Sequence, residues 1–330
     1  MQTLRWGLLG LMAALLMAGC GKGSEPPNSE GRKLRIAVIP KGTQHEFWKS
    51  VHAGAADAAK ELGVEIIWKG QAQENDREGQ IRVVEDFVTQ KVDGIVLAPL
   101  DDTALRSPVI DAQKSGIPVL IIDSDLKDVD TVSFVATDNL KGGEMAGENL
   151  AKLIGGRGRV VMMRYQVGSA STTFREEGFL NAMKNYPNIT VVSSNQYAGA
   201  TTETAQKTSE NLLTPLKKPD GTLGIDGIYC PNESSTFGML RTLQDNGWAG
   251  KVKFVGFDAS EKLVEGLRSG QIDGLVLQDP HAIGYLGVKT LVASMKGAKV
   301  EKRIDTGAKF VTKANMDSPE MARLLAPPKE

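Results

Sequence analysis

Along the chain, short apolar runs alternate with longer stretches in which apolar residues recur every three or four positions. Residues 34–39 form one such run, closed by Pro40, and read as a buried strand. Phe47, Val51, Ala55, Ala58 and Leu62 then share one helical face, and Gly63 stands where that helix should stop. Ile81, Val84 and Phe87 or Val88 repeat the helical spacing before a strand at residues 95–98, and a further helix leads to a strand at residues 119–122. The second half repeats the scheme. Strands are expected at residues 160–163, 189–192, 228–230, 254–256 and 275–278, with helical patterns between them, such as residues 179–183, Leu212-Leu213 and residues 237–243. This β-α alternation predicts an α/β fold of parallel sheets covered on both faces by helices. One short pattern recurs in both halves: Val92-Asp93-Gly94, Ile225-Asp226-Gly227 and Ile272-Asp273-Gly274 each lead into an apolar strand, as a helix-to-strand turn would.

The N-terminus follows a different pattern. Arg5 precedes an uncharged apolar run of 13 residues, Gly7 to Gly19. A run of that length is too short to cross a bilayer core of ~30 Å as a helix. It ends in Leu16-Met17-Ala18-Gly19-Cys20, which looks like the lipobox of a bacterial lipoprotein, with Met17 where Leu is more usual. Residues 1–20 are then a signal peptide, and Cys20 is acylated as the new N-terminus. The alternative readings are an ordinary secretory signal and an N-terminus that is apolar by chance. Residues 21–32 are polar, rich in Gly and Ser with two prolines, and serve as a flexible tether. The lipoprotein reading places the body outside the cytoplasmic membrane, in the periplasm or at the cell surface, away from ATP, NAD and DNA.

Composition narrows the reading further. With 39 basic and 40 acidic residues the net charge is −1, so no nucleic-acid-binding surface is implied. Roughly 310 residues remain after the leader, enough for two α/β domains. Of the two cysteines, Cys20 is assigned to lipid, which leaves Cys230 without an intramolecular partner. The fold must stand on its core.

In open parallel sheets, ligands bind beyond the carboxyl ends of the strands. The residues found there are Asp123, then Thr137-Asp138-Asn139, Pro231-Asn232-Glu233, Asp258 and Gln278-Asp279. Near the first strand lies Gln44-His45-Glu46-Phe47-Trp48, with two adjacent aromatic rings. Directional hydrogen-bonding groups beside aromatic faces suit a sugar or polyol, whose C–H faces stack on rings and whose hydroxyls need paired donors and acceptors. Each neutral hydrogen bond contributes only ~1 kcal/mol net. Seven or eight of them, with stacking, reach about −8 kcal/mol, or micromolar affinity. Taken singly, each Asp or Asn could instead be a turn or cap residue, and Phe47 or Trp48 a core residue.

The ordered series Phe47-Trp48, Val119-Leu120-Ile121-Ile122-Asp123, Thr137-Asp138-Asn139-Leu140-Lys141-Gly142-Gly143, Arg175-Glu176-Glu177-Gly178-Phe179, Cys230-Pro231-Asn232-Glu233, Val255-Gly256-Phe257-Asp258 and Gln278-Asp279 resembles the periplasmic sugar-binding proteins of ABC importers, type I fold, in the ribose-binding branch. The resemblance spans Lys33 to about Val311. It implies two doubly wound parallel-sheet lobes joined by a three-crossover hinge: residues 33–137 with 279–307, and residues 138–278 with 308–320. By resemblance the crossovers lie near residues 136–139, 276–279 and 308–310. It also implies that Phe47 and Trp48 sandwich a sugar ring. His45, Asp123, Asn139, Arg175, Asn232, Asp258 and Gln278 would complete the binding site. The lobes would close on the ligand by hinge motion, and the closed form would dock on a transmembrane permease. A monomer is expected, with no cofactor and no metal.

Departures from the branch bear on ligand identity. Ser124 stands where an arginine follows the aspartate, Glu233 where aspartate is usual, and His45 where asparagine is typical; Tyr197 lies only near the position of a further aromatic. These differences point to a sugar or polyol other than plain ribose. An enzyme is disfavoured. Asp123, Asp258 and Glu233 could be imagined as a glycosidase pair, but no nucleophile with a partner base accompanies them. His45, His52 and His281 are the only histidines, a thin basis for a metal or triad site. A sugar-responsive repressor would need a helix-turn-helix where this chain carries its leader. Presentation of the ligand to a membrane receptor for sensing stays open beside import.

Overall fold

The computed structural model describes residues 32–326. The leader, Cys20 and nearly all of the tether lie outside the described residues. Two six-stranded sheets form the framework. The first contains β1 (Arg35–Ile39), β2 (Glu65–Trp68), β3 (Gly94–Leu97), β4 (Val119–Ile122), β5 (Phe134–Ala136) and β11 (Arg303–Asp305), in the order β11-β5-β4-β3-β1-β2, all parallel. The second contains β6 (Arg157–Arg164), β7 (Asn188–Tyr197), β8 (Gly227–Tyr229), β9 (Lys253–Phe257), β10 (Gly274–Leu277) and β12 (Lys309–Val311), in the order β12-β10-β9-β8-β6-β7. Only β12 runs antiparallel to its neighbour.

Helices cover both faces of each sheet. On the first, α1 (Glu46–Leu62) and α9 (Pro280–Met295) pack on one side. There α2 (Arg77–Thr89) and α3 (Arg106–Lys114) pack on the other. On the second, α4 (Asn139–Leu153) and α5 (Ala170–Met183) oppose α6 (Thr202–Leu213), α7 (Glu233–Asp245), α8 (Glu261–Ser269) and the short α10 (Pro319–Leu325). Strands buried on both faces need apolar side chains at every position, which is why β3, β4 and β10 read as unbroken runs. Each fully buried Val, Leu or Ile contributes ~1.5–3 kcal/mol. This is the doubly wound α/β class expected. The chain passes between the sheets three times: from β5 to α4, from β10 to α9, and from β11 to β12.

Some elements differ from the sequence reading. β2 was not anticipated: it is a half-buried edge strand whose pattern neither alternates nor runs fully apolar. β7 extends to Tyr197 rather than stopping near residue 192, because its polar second half lies on an open edge. The third passage between sheets falls between Asp305 and Lys309, slightly ahead of the segment expected.

The repeated Asp-Gly pattern is a clamp on the neighbouring strand. Asp93 Oδ2 accepts from the Arg35 N–H at 2.7 Å, Asp226 Oδ2 from Arg159 at 2.7 Å, and Asp273 Oδ2 from Phe254 at 2.9 Å. In each case the aspartate N–H donates back to the carbonyl of the same residue. The clamp pins register at the start of the adjacent strand.

Helix α4 crosses α5 at nearly backbone contact. A Cβ on Gly143 would lie 2.0 Å from the Arg175 carbonyl oxygen, and one on Gly178 would lie 2.0 Å from that of Leu140. The crossing therefore fixes where Arg175 stands. Gly143→Ala must push the helices apart and is expected to cost about 2–3 kcal/mol. A urea melt of wild type and variant measures this, and equal midpoints would rule out the tight crossing.

Candidate functional site

The carboxyl ends of the two sheets face each other across a cavity that holds about 310 Å³ of non-atom space, part of it open solvent. Of the residues read from sequence, His45, Phe47, Trp48, Asp123, Arg175, Asn232, Asp258 and Gln278 line it. Asn139 does not. It stands behind Arg175, accepting from Nε at 2.8 Å and donating to the Asp123 carbonyl at 3.3 Å. Phe47 and Trp48 meet edge to face, their planes at 88°. They therefore form a corner with two faces, not the parallel sandwich expected.

Asp123 and Asp258 follow β4 and β9 at equivalent places in the two sheets. Both adopt left-handed backbone, with φ of 61° and 69°. Aspartate tolerates this region better than most residues, yet the conformation still costs on the order of 1 kcal/mol. Hydrogen bonds from their own N–H groups to Val135 and Val276 hold them in place. Strain of this kind persists where neighbouring structure dictates it, and here it turns a carboxylate from each sheet into the cleft.

Arg175 is almost fully buried. Nη1 donates to the Pro231 carbonyl at 3.0 Å, the guanidinium stacks 4.0 Å from the Phe257 ring centroid, and Asp258 lies 3.9 Å away. Gln278 donates from Nε2 to Asp258 Oδ1 at 2.6 Å. Arg175 Nη2 and Gln278 Oε1 are nonetheless buried polar atoms without a protein partner, one donor and one acceptor, on residues that line the same cavity. Orphaned groups of this kind cost ~1–3 kcal/mol each unless something meets them.

Several lining residues were not read from sequence. Lys41, just beyond β1, pairs with Asp123 Oδ2 at 3.0 Å and donates to the Ser171 hydroxyl at 3.0 Å. It brings a cation to Asp123 from another strand, although the expected neighbouring arginine is replaced by Ser124. Glu74, beyond β2, is buried; it accepts from Trp48 Nε1 at 2.7 Å, pairs with His45 Nδ1 at 2.9 Å, and accepts from the Tyr165 hydroxyl at 3.0 Å. Burial alone would raise the Glu74 carboxyl, but the hydrogen bond and charge of His45, with Lys41 and Trp48, bring it down to about 2. Burial likewise opposes a charged His45, and Glu74 outweighs it, raising the imidazole to about 9. Glu233 moves the other way: burial lifts it to about 7, against the pull of His45 and of the Phe47 N–H. Tyr165, Ser171 and Thr172 complete the wall, together with Glu233, one of the strand-end residues read from sequence. Lys41, Glu74 and Tyr165 each lie beyond a strand end. The rule that found Asp123 and Asp258 would have reached them had β2 been recognised and the ends of β1 and β6 followed through.

Residues 36–299 match the periplasmic binding protein domain family. The D-allose-binding periplasmic protein of Escherichia coli strain K12 is 30% identical over 273 residues, covering 80% of this chain and 85% of that one. A carbohydrate transporter solute binding protein of Agrobacterium radiobacter, solved with D-arabinose, superposes with a TM-score of 0.84 at 38% identity, over 90% of this chain and 100% of that one. An ABC transporter solute binding protein of Agrobacterium vitis with bound D-fucose superposes with a TM-score of 0.84 at 35% identity, over 88% and 100% of the two chains. These relatives bind solutes and are not enzymes. With the two-sheet topology and the cleft between the strand ends, they establish that the chain belongs to the periplasmic binding protein family, in its ribose-binding-like type I branch.

Proposed function

We propose that this protein captures one monosaccharide or related polyol in the cleft, closes over it by hinge motion, and delivers it to the permease of an ABC importer. The moving bodies are residues 33–137 with 279–307, and residues 138–278 with 308–320. Acylation of Cys20 anchors the monomer to the membrane through the tether. The observation that carries the reading is the pair of orphaned groups, Arg175 Nη2 and Gln278 Oε1, beside the Phe47–Trp48 corner. A donor and an acceptor near two ring faces match a hydroxylated ring. Relatives solved with D-arabinose and D-fucose support the ligand class. Ser124, Glu233 and His45, where the branch differs, favour a ligand other than ribose.

Calorimetry on the refolded, ligand-stripped body tests the reading with ribose, D-arabinose, D-fucose, D-allose and myo-inositol. One sugar binding near micromolar supports it; silence across the panel rejects a sugar ligand, and selective ribose binding rejects the ligand preference. Asp258→Ala should weaken binding about 30- to 100-fold by unpairing ligand hydroxyls, Gln278 and the Glu233 N–H. Metabolic labelling with a fatty acid checks the anchor, since Cys20→Ala should abolish incorporation.

The shifted groups also set a pH profile. His45 rises from 6.5 to about 9 on folding, so its stabilisation is complete below about pH 6.5 and fades as pH climbs to about 9. Glu233 rises from 4.5 to about 7, so folding loses stability across that interval as the unfolded chain ionises first. The melting temperature should therefore fall between about pH 5 and pH 9. His45→Asn should flatten the upper limb and Glu233→Gln part of the lower one; parallel curves for all three proteins would contradict the assignment.

A further inference from the structure

Three helices point their N-termini at the cleft without a cap from their own N-cap side chain: α1 after His45, α5 after Ser169 and α8 after Ser260. By contrast α2, α4, α6, α7 and α9 are capped ordinarily, by Asp76, Asp138, Thr201, Asn232 and Asp279, while α3 and α10 carry no cap from their N-cap side chain either. The three cleft helices receive their caps from across the cleft. Glu233, on the second sheet's side, accepts from the N–H groups of Glu46 at 3.3 Å and Phe47 at 3.2 Å, in the first turn of α1. Glu46, on the first sheet's side, accepts with both carboxylate oxygens from the N–H of Glu261, the first residue of α8, at 3.3 and 3.1 Å. The Ser124 hydroxyl, beyond β4, accepts from the N–H of Ser171 in α5 at 3.0 Å. The hydroxyl of Ser169 meanwhile accepts from Lys41.

We infer that Glu46, Glu233 and Ser124 are trans-caps: positioning residues whose hydrogen bonds form on closure and set how long a bound solute is retained. Hydrogen bonds of this length cannot survive separation of the two sheets. Opening therefore strips these acceptors from the first turns of three helices and withdraws a carboxylate from the positive ends of two, which keep only their own first-turn acids, Glu46 and Glu261. The arrangement grips α1, which carries Phe47 and Trp48, by both its backbone and its first side chain. It reaches the ligand site as well, because the Glu233 N–H donates to Asp258 Oδ2 at 3.1 Å. Ser124 gains a role of its own at the position where the branch carries arginine. Association begins from the open form, so the trans-caps act on release and leave capture nearly unchanged.

The inference rests on the reading of the cleft as a sugar site, and the test separates the two. Stopped-flow tryptophan fluorescence with the sugar identified by calorimetry gives association and release rates for wild type, Glu46→Ala, Glu46→Gln, Ser124→Ala and the self-cap control Thr201→Ala. Glu46→Ala should release sugar about 10-fold faster with association within about twofold, and Ser124→Ala should shift in the same direction. Glu46→Gln keeps an acceptor oxygen and should recover part of the loss. Thr201→Ala should lower the melting temperature while leaving release unchanged. Wild-type release from both Glu46→Ala and Ser124→Ala, or equal acceleration by Thr201→Ala, overturns the trans-caps. If wild type binds no sugar, the sugar reading fails, and single-molecule energy transfer between dyes on the two sheets' outer helices decides the caps: the lifetime of spontaneous closed excursions must be shorter in the Glu46→Ala, Ser124→Ala double variant than in wild type, and equal lifetimes overturn them.

Discussion

A carboxylate removed from water must find a partner for nearly every lone pair, and Glu74 imposes that demand at the centre of this molecule. Its two oxygens are shared among the Trp48 indole, the His45 imidazole and the Tyr165 hydroxyl, which arrive from α1 and from the end of β6 in the other sheet. Satisfying Glu74 therefore orients one ring of the aromatic corner, keeps His45 cationic, and ties the two sheets at one point. Lys41 does the same for Asp123 and reaches Ser169 and Ser171. The cleft is a network of buried charges, most of them paired on their own wall, with Tyr165, Ser169 and Ser171 reaching Glu74 and Lys41 from the other sheet. Removing one member leaves another buried without compensation, which is costlier than never having had the pair.

Where burial is one-dimensional, the sequence was easy to read. α1 announces itself by five apolar residues on one face and a glycine stop, and Gly63 does adopt left-handed backbone, with φ of 66°. Strands enclosed on both faces, such as β4, match the unbroken apolar runs. Edge strands are different: β2 and the polar half of β7 are held by ladder hydrogen bonds that any residue can make, so their side chains carry little signal. The missed β2 also hid Glu74, since the residues beyond an unrecognised strand are not searched.

The polar cleft was legible in part for a similar reason. Asp123, Asn232, Asp258 and Gln278 follow strands directly, so topology alone brings them together. The roles within the cluster are a matter of side-chain direction, which no spacing encodes. Asn139 turns toward the Arg175 guanidinium instead of the cavity, and neighbouring rings on one helix turn cannot face each other across a ligand. Nor does sequence say which helix ends are capped at home and which across the cleft. Glu46 looks like an ordinary first-turn acid until the first turn of α8 is seen beside it.

Cys230 gives the second sheet an intrinsic clock. It follows β8, fully enclosed in the apolar cluster formed by α6, α7 and α8, and burial pushes its thiol well above the ordinary range. Among the described residues it is the sole cysteine. A thiol in that position is chemically silent while the cluster is packed. Its rate of alkylation thus reports the opening frequency of that half of the protein alone, without a probe having to be engineered.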